Sequence, residues 1–134
     1  MLLLRTERFK YNLVVTYSNM NEKEDLLTKN IMEFYNEGIL ALKRKSYNSA
    51  TSLFFKALAV LSDWLILHEE KFIPKSHTER FRILEQKYPI VYQILDKDFP
   101  SYQDSYTISL TKEVAEVIKE DVKKVAEKIG FKLD

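Results

Sequence analysis

The sequence predicts an all-α protein, an antiparallel up-and-down helical bundle of about five helices with a short extended, possibly β-stranded, N-terminal arm. The 134 residues include only two glycines and three prolines, a composition that favours long helices over loops. Apolar residues recur at three- and four-residue spacing through most of the chain beyond residue 18. The segment from Tyr47 to Lys71 is apolar around most of its circumference, which is typical of a helix buried on several sides.

The chain divides into an arm, residues 1–18, and a bundle, residues 19–134. In the arm, apolar residues alternate with polar ones between Phe9 and Tyr17, and this period of two predicts an extended strand. A lone strand leaves its backbone groups unpaired. We therefore expect the arm to form a small hairpin, to pair with the same segment of another subunit, or to pack loosely.

The first helix is predicted to start at Asn19 or Asn21 and to run to about Lys45. Gly38 lies inside it, where a glycine costs about 1 kcal/mol relative to alanine. We therefore expect another helix to approach closely at Gly38, with an alanine of the central helix filling the contact.

Capping and proline signals delimit the other helices. Ser76 opens an S-x-x-E capping box, so the third helix starts there. Pro89 suits the first turn of a fourth helix, which Pro100 is predicted to end, and Thr111 and Gly130 suit the two ends of a fifth helix. The residues predicted to be buried on the last two helices are Ile90, Val91, Ile94, Leu95 and Phe99, and Val114, Val117, Ile118, Val122, Val125 and Ile129.

Composition excludes several classes of function. The formal net charge is +1, so no global field attracts nucleic acid or a membrane surface. The absence of cysteine excludes disulfides, thiol catalysis and cysteine-ligated metals, and two isolated glycines cannot form a glycine-rich phosphate loop. No cofactor, metal site or membrane span is predicted. The expected location is cytoplasmic, and the Lys- and Glu-rich composition suits a thermophile.

The candidate ligand site is a local basic segment, with Lys71, Lys75, His77, Arg80 and Arg82 as candidate phosphate- or nucleotide-binding residues. The twelve residues 71–82 carry a net charge of +3 beside the start of the third helix, where free N–H groups favour anions. The alternative is a solvated basic loop without a ligand. No spacing in the chain identifies a nucleophile with its base, so no catalytic residue is predicted.

Two other groups of polar residues are interpreted structurally. His68 follows Trp64 by four residues and is predicted to be a hydrogen-bonded structural histidine. Asp96 and Asp98 could bind a divalent ion, but we expect them to be solvated carboxylates near a helix end.

Three segments together resemble the HEPN family of small helical domains. They read NEGILALKRKSYNSATSLFFKALAVLSDWLI, IPKSHTERFRIL and DSYTISLTKEVAEVI, and the resemblance extends from about Glu24 to Ile129. It implies a compact antiparallel bundle that is often a homodimer. Members of that family cleave RNA, accompany a minimal nucleotidyltransferase, or bind nucleotides.

The cleaving branch of the family carries an arginine followed four to six residues later by a histidine. No arginine stands at that spacing before His68 or His77. The resemblance therefore implies a non-catalytic nucleotide- or RNA-binding module, or the companion of a nucleotidyltransferase. The alternatives are an atypical ribonuclease or toxin with a centre built from His77, Lys75 and Arg80, and a plain helical protein-interaction domain.

Overall fold

The described part of the chain is a bundle of five α-helices, as the sequence predicts, and contains no β-strand. The computed structural model describes residues 5–133, with side chains described for residues 20–133. The helices are α1 (Arg5–Lys43), α2 (Tyr47–Glu70), α3 (His77–Lys87), α4 (Pro89–Asp104) and α5 (Lys112–Ile129).

Helix α2 is the centre of the bundle and contacts each of the other four helices. Its inward residues are fully enclosed, among them Ala50, Phe54, Ala57, Leu58, Leu61 and Ile66. The remaining core comes from one face of each neighbouring helix, led by Ile31, Leu84, Leu95 and Val122. The central position predicted for the segment from Tyr47 to Lys71 is thus confirmed.

Helix α2 also has the length and apolar character needed to cross a membrane, contrary to the prediction that no segment does. It has 24 residues, and its most apolar 18-residue window has a mean hydropathy of 1.6. Two-thirds of that window (67%) is buried inside the bundle. The core helix of a globular domain meets the same criterion, so the finding is weak evidence for a span.

The extended arm is the main error of the sequence analysis. The backbone of residues 5–18 is helical, and α1 runs without a break across the predicted boundary after residue 18. Residues 1–4 lie outside the described part of the chain. A helix satisfies its backbone hydrogen bonds within one segment, whereas a strand needs a partner strand, and residues 5–37 contain neither glycine nor proline to interrupt a helix.

The local capping signals are confirmed. The Ser76 hydroxyl accepts a hydrogen bond from the Glu79 N–H at 3.1 Å, and Thr111 caps α5 in the same way through the Val114 N–H. Gly130 ends α5 in the left-handed conformation with φ of 80°. Pro100 does not end α4 as predicted, because the helix continues past it to Asp104.

Two predicted core residues are on the surface. Ile90 is 52% exposed and Val117 is 50% exposed, while Val91, Leu95, Ile118 and Val122 are buried. In both α4 and α5, the face that is buried is narrower than the set of apolar residues in the helix. An apolar side chain next to a stripe in sequence therefore need not belong to it.

Gly38 permits the close helix contact that the sequence predicts, but the partner is Phe54 rather than an alanine. A Cβ atom at position 38 would lie 2.7 Å from two ring carbons of Phe54. The Phe54 ring is fully buried and also packs on Tyr35, at a ring-centroid distance of 5.9 Å. The glycine therefore makes room for a large aromatic side chain at the α1–α2 contact.

One connection departs from a simple up-and-down order. The contacts Phe55–His77, Asp63–Arg80 and Glu70–Lys87 advance together along α2 and α3. Helix α3 therefore runs in the same direction as α2, after residues 71–76 have returned along α2. This return places the start of α3 beside the middle of the central helix.

Candidate functional site

The start of α3 is held against α2 by a buried ion pair. The Arg80 guanidinium donates through Nε to Asp63 Oδ1 at 2.7 Å and through Nη2 to Oδ2 at 2.9 Å. The two side chains are only 12% and 8% exposed. Burial raises the pKa of Asp63, and the hydrogen bond and charge of Arg80 act in the opposite direction. Such fork-on-fork geometry fixes the orientation as well as the distance of the pair.

Arg80 also contacts His77, one helical turn before it. Its Nη1 lies 2.7 Å from His77 Nδ1. Because a guanidinium can only donate, Nδ1 must accept, which assigns the proton of the neutral ring to Nε2. Burial, and then the charge of Arg80, lowers the pKa of His77, while Asp63 partly offsets both effects. At neutral pH, His77 is thus an uncharged, exposed side chain with one N–H donor.

Aromatic rings form the wall behind His77. The imidazole lies 5.4 Å from the Phe99 ring, 6.1 Å from Tyr102 and 6.5 Å from Phe55, between centroids. Phe55 and Tyr102 stack at 4.7 Å, so the wall is continuous between α2 and α4. Contacts among these rings restrict the orientation of the imidazole.

Tyr106 extends this wall to the surface. Its hydroxyl lies 2.9 Å from that of Tyr102, and the two rings meet edge to face at 5.6 Å. Burial and the neighbouring Tyr106 raise the pKa of Tyr102 to about 12, so Tyr102 remains protonated at neutral pH. Tyr106 itself is 69% exposed, which leaves a face of its ring open to solvent.

Asn48 positions the segment that carries Tyr106. Its side-chain nitrogen donates to the carbonyl oxygens of Ser105 at 3.0 Å and Ile108 at 2.5 Å. Its side-chain oxygen accepts from the Leu110 N–H at 2.8 Å. A single residue of α2 therefore ties down the link between α4 and α5.

The structure brings together only part of the predicted ligand site. His77 and Arg80 are in contact, and Lys75 lies two residues before His77 in the exposed approach to α3. Lys71 ends α2 instead, with a left-handed φ of 71° and its ammonium donating to the His68 carbonyl at 2.9 Å. Arg82 is exposed and, two residues beyond Arg80, lies about 200° further around α3, away from the cluster.

Sequence reasoning missed Asp63, Tyr102 and Tyr106. Asp63 did leave a signal, because it is the only acidic residue between Glu37 and Glu69 and it interrupts the most apolar helix. A carboxylate buried in such a position requires a cationic or hydrogen-bonding partner. Nothing in the local sequence identifies that partner as Arg80, which is 17 residues away.

A second acidic pair is buried between α4 and α5. Asp98 and Asp121 are 3% and 2% exposed, so Asp98 is not the solvated helix-end carboxylate that the sequence predicts, whereas Asp96 is exposed. Burial, followed by the hydrogen bond and charge of Asp121, raises the pKa of Asp98 to about 8. The Lys97 ammonium lies 2.8 Å from Asp121 Oδ2. No group of three or more potential metal ligands occurs among the described residues.

His68 lies between the rings of the core and an acidic residue of α1. Its Nε2 is 3.1 Å from Glu24 Oε1, and its ring centroid is 4.1 Å from that of Trp64. Trp64 in turn meets Phe131 edge to face at 5.3 Å. These contacts join α1, α2 and the end of α5, which supports the structural role predicted for His68.

Comparison with protein-family models, curated proteins and solved structures gave no match for this chain. The resemblance to the HEPN family remains a hypothesis based on the three sequence segments that suggested it. A functional proposal must therefore rest on the geometry around His77.

Proposed function

We propose that this protein is a nucleotide- or RNA-binding module that holds a phosphate group at His77 and Lys75. The observation that carries the proposal is the contact of Arg80 Nη1 with His77 Nδ1, which leaves the Nε2–H of an exposed imidazole as a donor. Lys75 has no ion-pair partner among the described residues and supplies a positive charge nearby.

The aromatic wall supports a nucleotide rather than a bare anion as the ligand. Single-stranded nucleic acids bind to basic surfaces on which their bases stack against aromatic side chains. Tyr106 offers an exposed ring for such stacking, and Tyr102 links it to His77. The buried Arg80–Asp63 pair fixes the start of α3 and contributes little net charge, so Arg80 positions His77 and Lys75 becomes the main charged contact.

The test is fluorescence anisotropy with a labelled uridine octanucleotide. Lys75→Ala is expected to weaken binding about tenfold, as for a lost charged hydrogen bond, and to reduce the slope of log affinity against log salt by about one. His77→Ala should weaken binding while leaving that slope unchanged, because the neutral imidazole displaces no counterion.

Arg82→Ala removes the same charge from the opposite side of α3 and is the matched comparison. We expect it to retain nearly the affinity of the wild-type protein. Equal losses in Lys75→Ala and Arg82→Ala would indicate nonspecific attraction to a basic segment. No loss in Lys75→Ala or His77→Ala would refute the proposed site.

A second candidate function, RNA cleavage, is favoured by one observation. Arginine and histidine, the residue types that the cleaving HEPN branch uses, meet at 2.7 Å in Arg80 and His77, in the reverse sequence order. Metal-independent cleavage of a labelled RNA that His77→Ala abolishes would support this reading. Binding without cleavage over many hours would favour the binding module.

We also propose that the chain acts as a homodimer in the cytoplasm, with a nucleotidyltransferase as a further candidate partner. Large apolar side chains that are about half exposed, Leu26, Leu40, Phe72, Ile90 and Val117, support an interface. Light scattering at low micromolar concentration should give twice the monomer mass of 15.9 kDa. A 15.9 kDa species alone would reject the homodimer, and co-purification tests the other partner.

A further inference from the structure

A pocket lies between the first turns of α2 and the start of the link that follows α4. Its volume is about 340 Å³, and its lining residues include Ser49, Ser52, Lys56 and Tyr106. No acidic residue lines it. The pocket therefore combines one positive charge, hydroxyl groups and an aromatic ring in a space open to solvent.

The surrounding sequence is strongly basic. Residues 43–62 carry Lys43, Arg44, Lys45 and Lys56 and no acidic residue. None of the four forms an ion pair with a described residue, and the Lys56 ammonium lies 6.0 Å from the centroid of the Phe34 ring. Four basic residues and no acidic one give this stretch of sequence a charge of +4, which the overall charge of +1 conceals.

Tyr106 connects this pocket with the site at His77. Tyr106 is one of the residues that line the pocket, and two ring-to-ring steps, 5.6 Å to Tyr102 and 6.1 Å from Tyr102 to His77, lead from it to the imidazole. Because Tyr102 stands between the two sites, a ligand that occupies both must be longer than one nucleotide. A basic track with aromatic rings along it is the arrangement that binds single strands.

We infer that the pocket beside Lys56 and Tyr106 is a second subsite, and that the ligand of this protein is single-stranded RNA of at least two nucleotides. The inference rests on the proposed function of the His77 site. Lys56 binds a phosphate of the neighbouring nucleotide, the Ser49 and Ser52 hydroxyls bond polar groups of that nucleotide, and Tyr106 stacks on its base.

The experiment compares labelled uridine mono-, di-, tetra- and octanucleotides by fluorescence anisotropy. Affinity is expected to rise from the mononucleotide to the tetranucleotide and then to level off. Tyr106→Ala should weaken octanucleotide binding about tenfold, in the range that the loss of one stacked base causes. Lys56→Ala should weaken it about tenfold as well, through the loss of a charged contact to phosphate. Lys56→Ala should leave mononucleotide binding at His77 unchanged, whereas Lys75→Ala should weaken the binding of both the mononucleotide and the octanucleotide.

Two further variants separate the subsite from other effects. Tyr106→Phe keeps the ring and should bind the octanucleotide with wild-type affinity. Its melting temperature shows whether a substitution at position 106 disturbs folding. Lys132→Ala removes a charge from an exposed position next to Phe131, which packs on Trp64 rather than on the His77 wall, and should change nothing.

The outcomes distinguish this inference from the proposed function. If octanucleotide binding depends on Lys75 but not on Lys56 or Tyr106, the second subsite is refuted while the His77 site stands. If mononucleotide and octanucleotide bind equally, the inferred ligand class is wrong. If the wild-type protein binds no RNA of any length, both proposals fail together.

Discussion

Removal of the Arg80 side chain should destabilise the protein far more than its place at the edge of an exposed loop suggests. Asp63 is only 5% exposed, and Arg80 donates one hydrogen bond to each of its two carboxylate oxygens. Arg80→Ala would leave this charge buried without a partner. Breaking a buried pair in this way costs about 3–5 kcal/mol. For a domain of this size we expect the melting temperature to fall by about 10–20 °C.

The destabilisation should depend on pH in a definite direction. Loss of Arg80 removes the two largest effects that lower the pKa of Asp63, its hydrogen bond and its charge, so burial raises that pKa further in the variant. A carboxyl group whose pKa is raised in the folded state stabilises least at high pH, because the ionised form is the costly one. The loss of stability in Arg80→Ala, relative to wild type, should therefore be largest at pH 7–8. It should become smaller as the pH falls and the buried Asp63 takes up a proton.

The assay is urea unfolding followed by circular dichroism, for Arg80→Ala, Asp63→Ala and both together. We expect the double variant to be more stable than the sum of the single losses predicts, because the second substitution removes the unpaired charge. A second double variant, Asp63→Leu with Arg80→Met, should be nearly as stable as wild type, because replacing a buried ion pair with apolar residues of similar size is often neutral or stabilising. A loss below about 1 kcal/mol in Arg80→Ala, additive with Asp63→Ala, would refute the reasoning.

Two further predictions concern the core. Burial raises the pKa of folded Asp98 from its ordinary 3.8 to about 8, so the stability that Asp98 contributes should be complete below about pH 4 and decline as the pH rises to 8. At pH 8.5 the Asp98→Asn variant should therefore be more stable than wild type by about 1–3 kcal/mol, whereas at pH 4 it should have no such advantage. A wild-type protein that unfolds at the same urea concentration at both pH values would contradict this prediction. Gly38→Ala should destabilise the folded protein by up to about 2 kcal/mol, because the cost of overpacking against Phe54 exceeds the gain in helix propensity. Adding Phe54→Leu to Gly38→Ala should reduce this loss of stability. A Gly38→Ala protein more stable than wild type would show that the Phe54 ring can move aside.

The features predicted correctly depend on neighbouring residues. The caps at Ser76 and Thr111 and the end at Gly130 each require residues within one helical turn, so the sequence displays them directly. The central helix is identified because its apolar character is too extensive for a surface position.

The failures involve information that is not local. Alternation between Phe9 and Tyr17 favours a strand only if a partner strand is available, and residues 5–133 contain none. The basic segment 71–82 predicts a ligand for Arg80, whereas the actual partner of Arg80 is Asp63, which belongs to a different helix. Tyr106 lies in a segment without periodicity, and its approach to His77 depends on the packing of α4 on α2.

The three hydrogen bonds of Asn48 make the α4–α5 link a natural reporter of events at the ligand sites. They close chain loops of 57 to 62 residues through one side chain. The link should consequently open and close as a unit, and the Leu110 amide should exchange its hydrogen with solvent only when that unit opens. An RNA strand stacked on Tyr106 would stabilise the closed state and slow this exchange. The isotope exchange rate at one backbone position would then measure occupancy of the neighbouring pocket, without a label on protein or ligand.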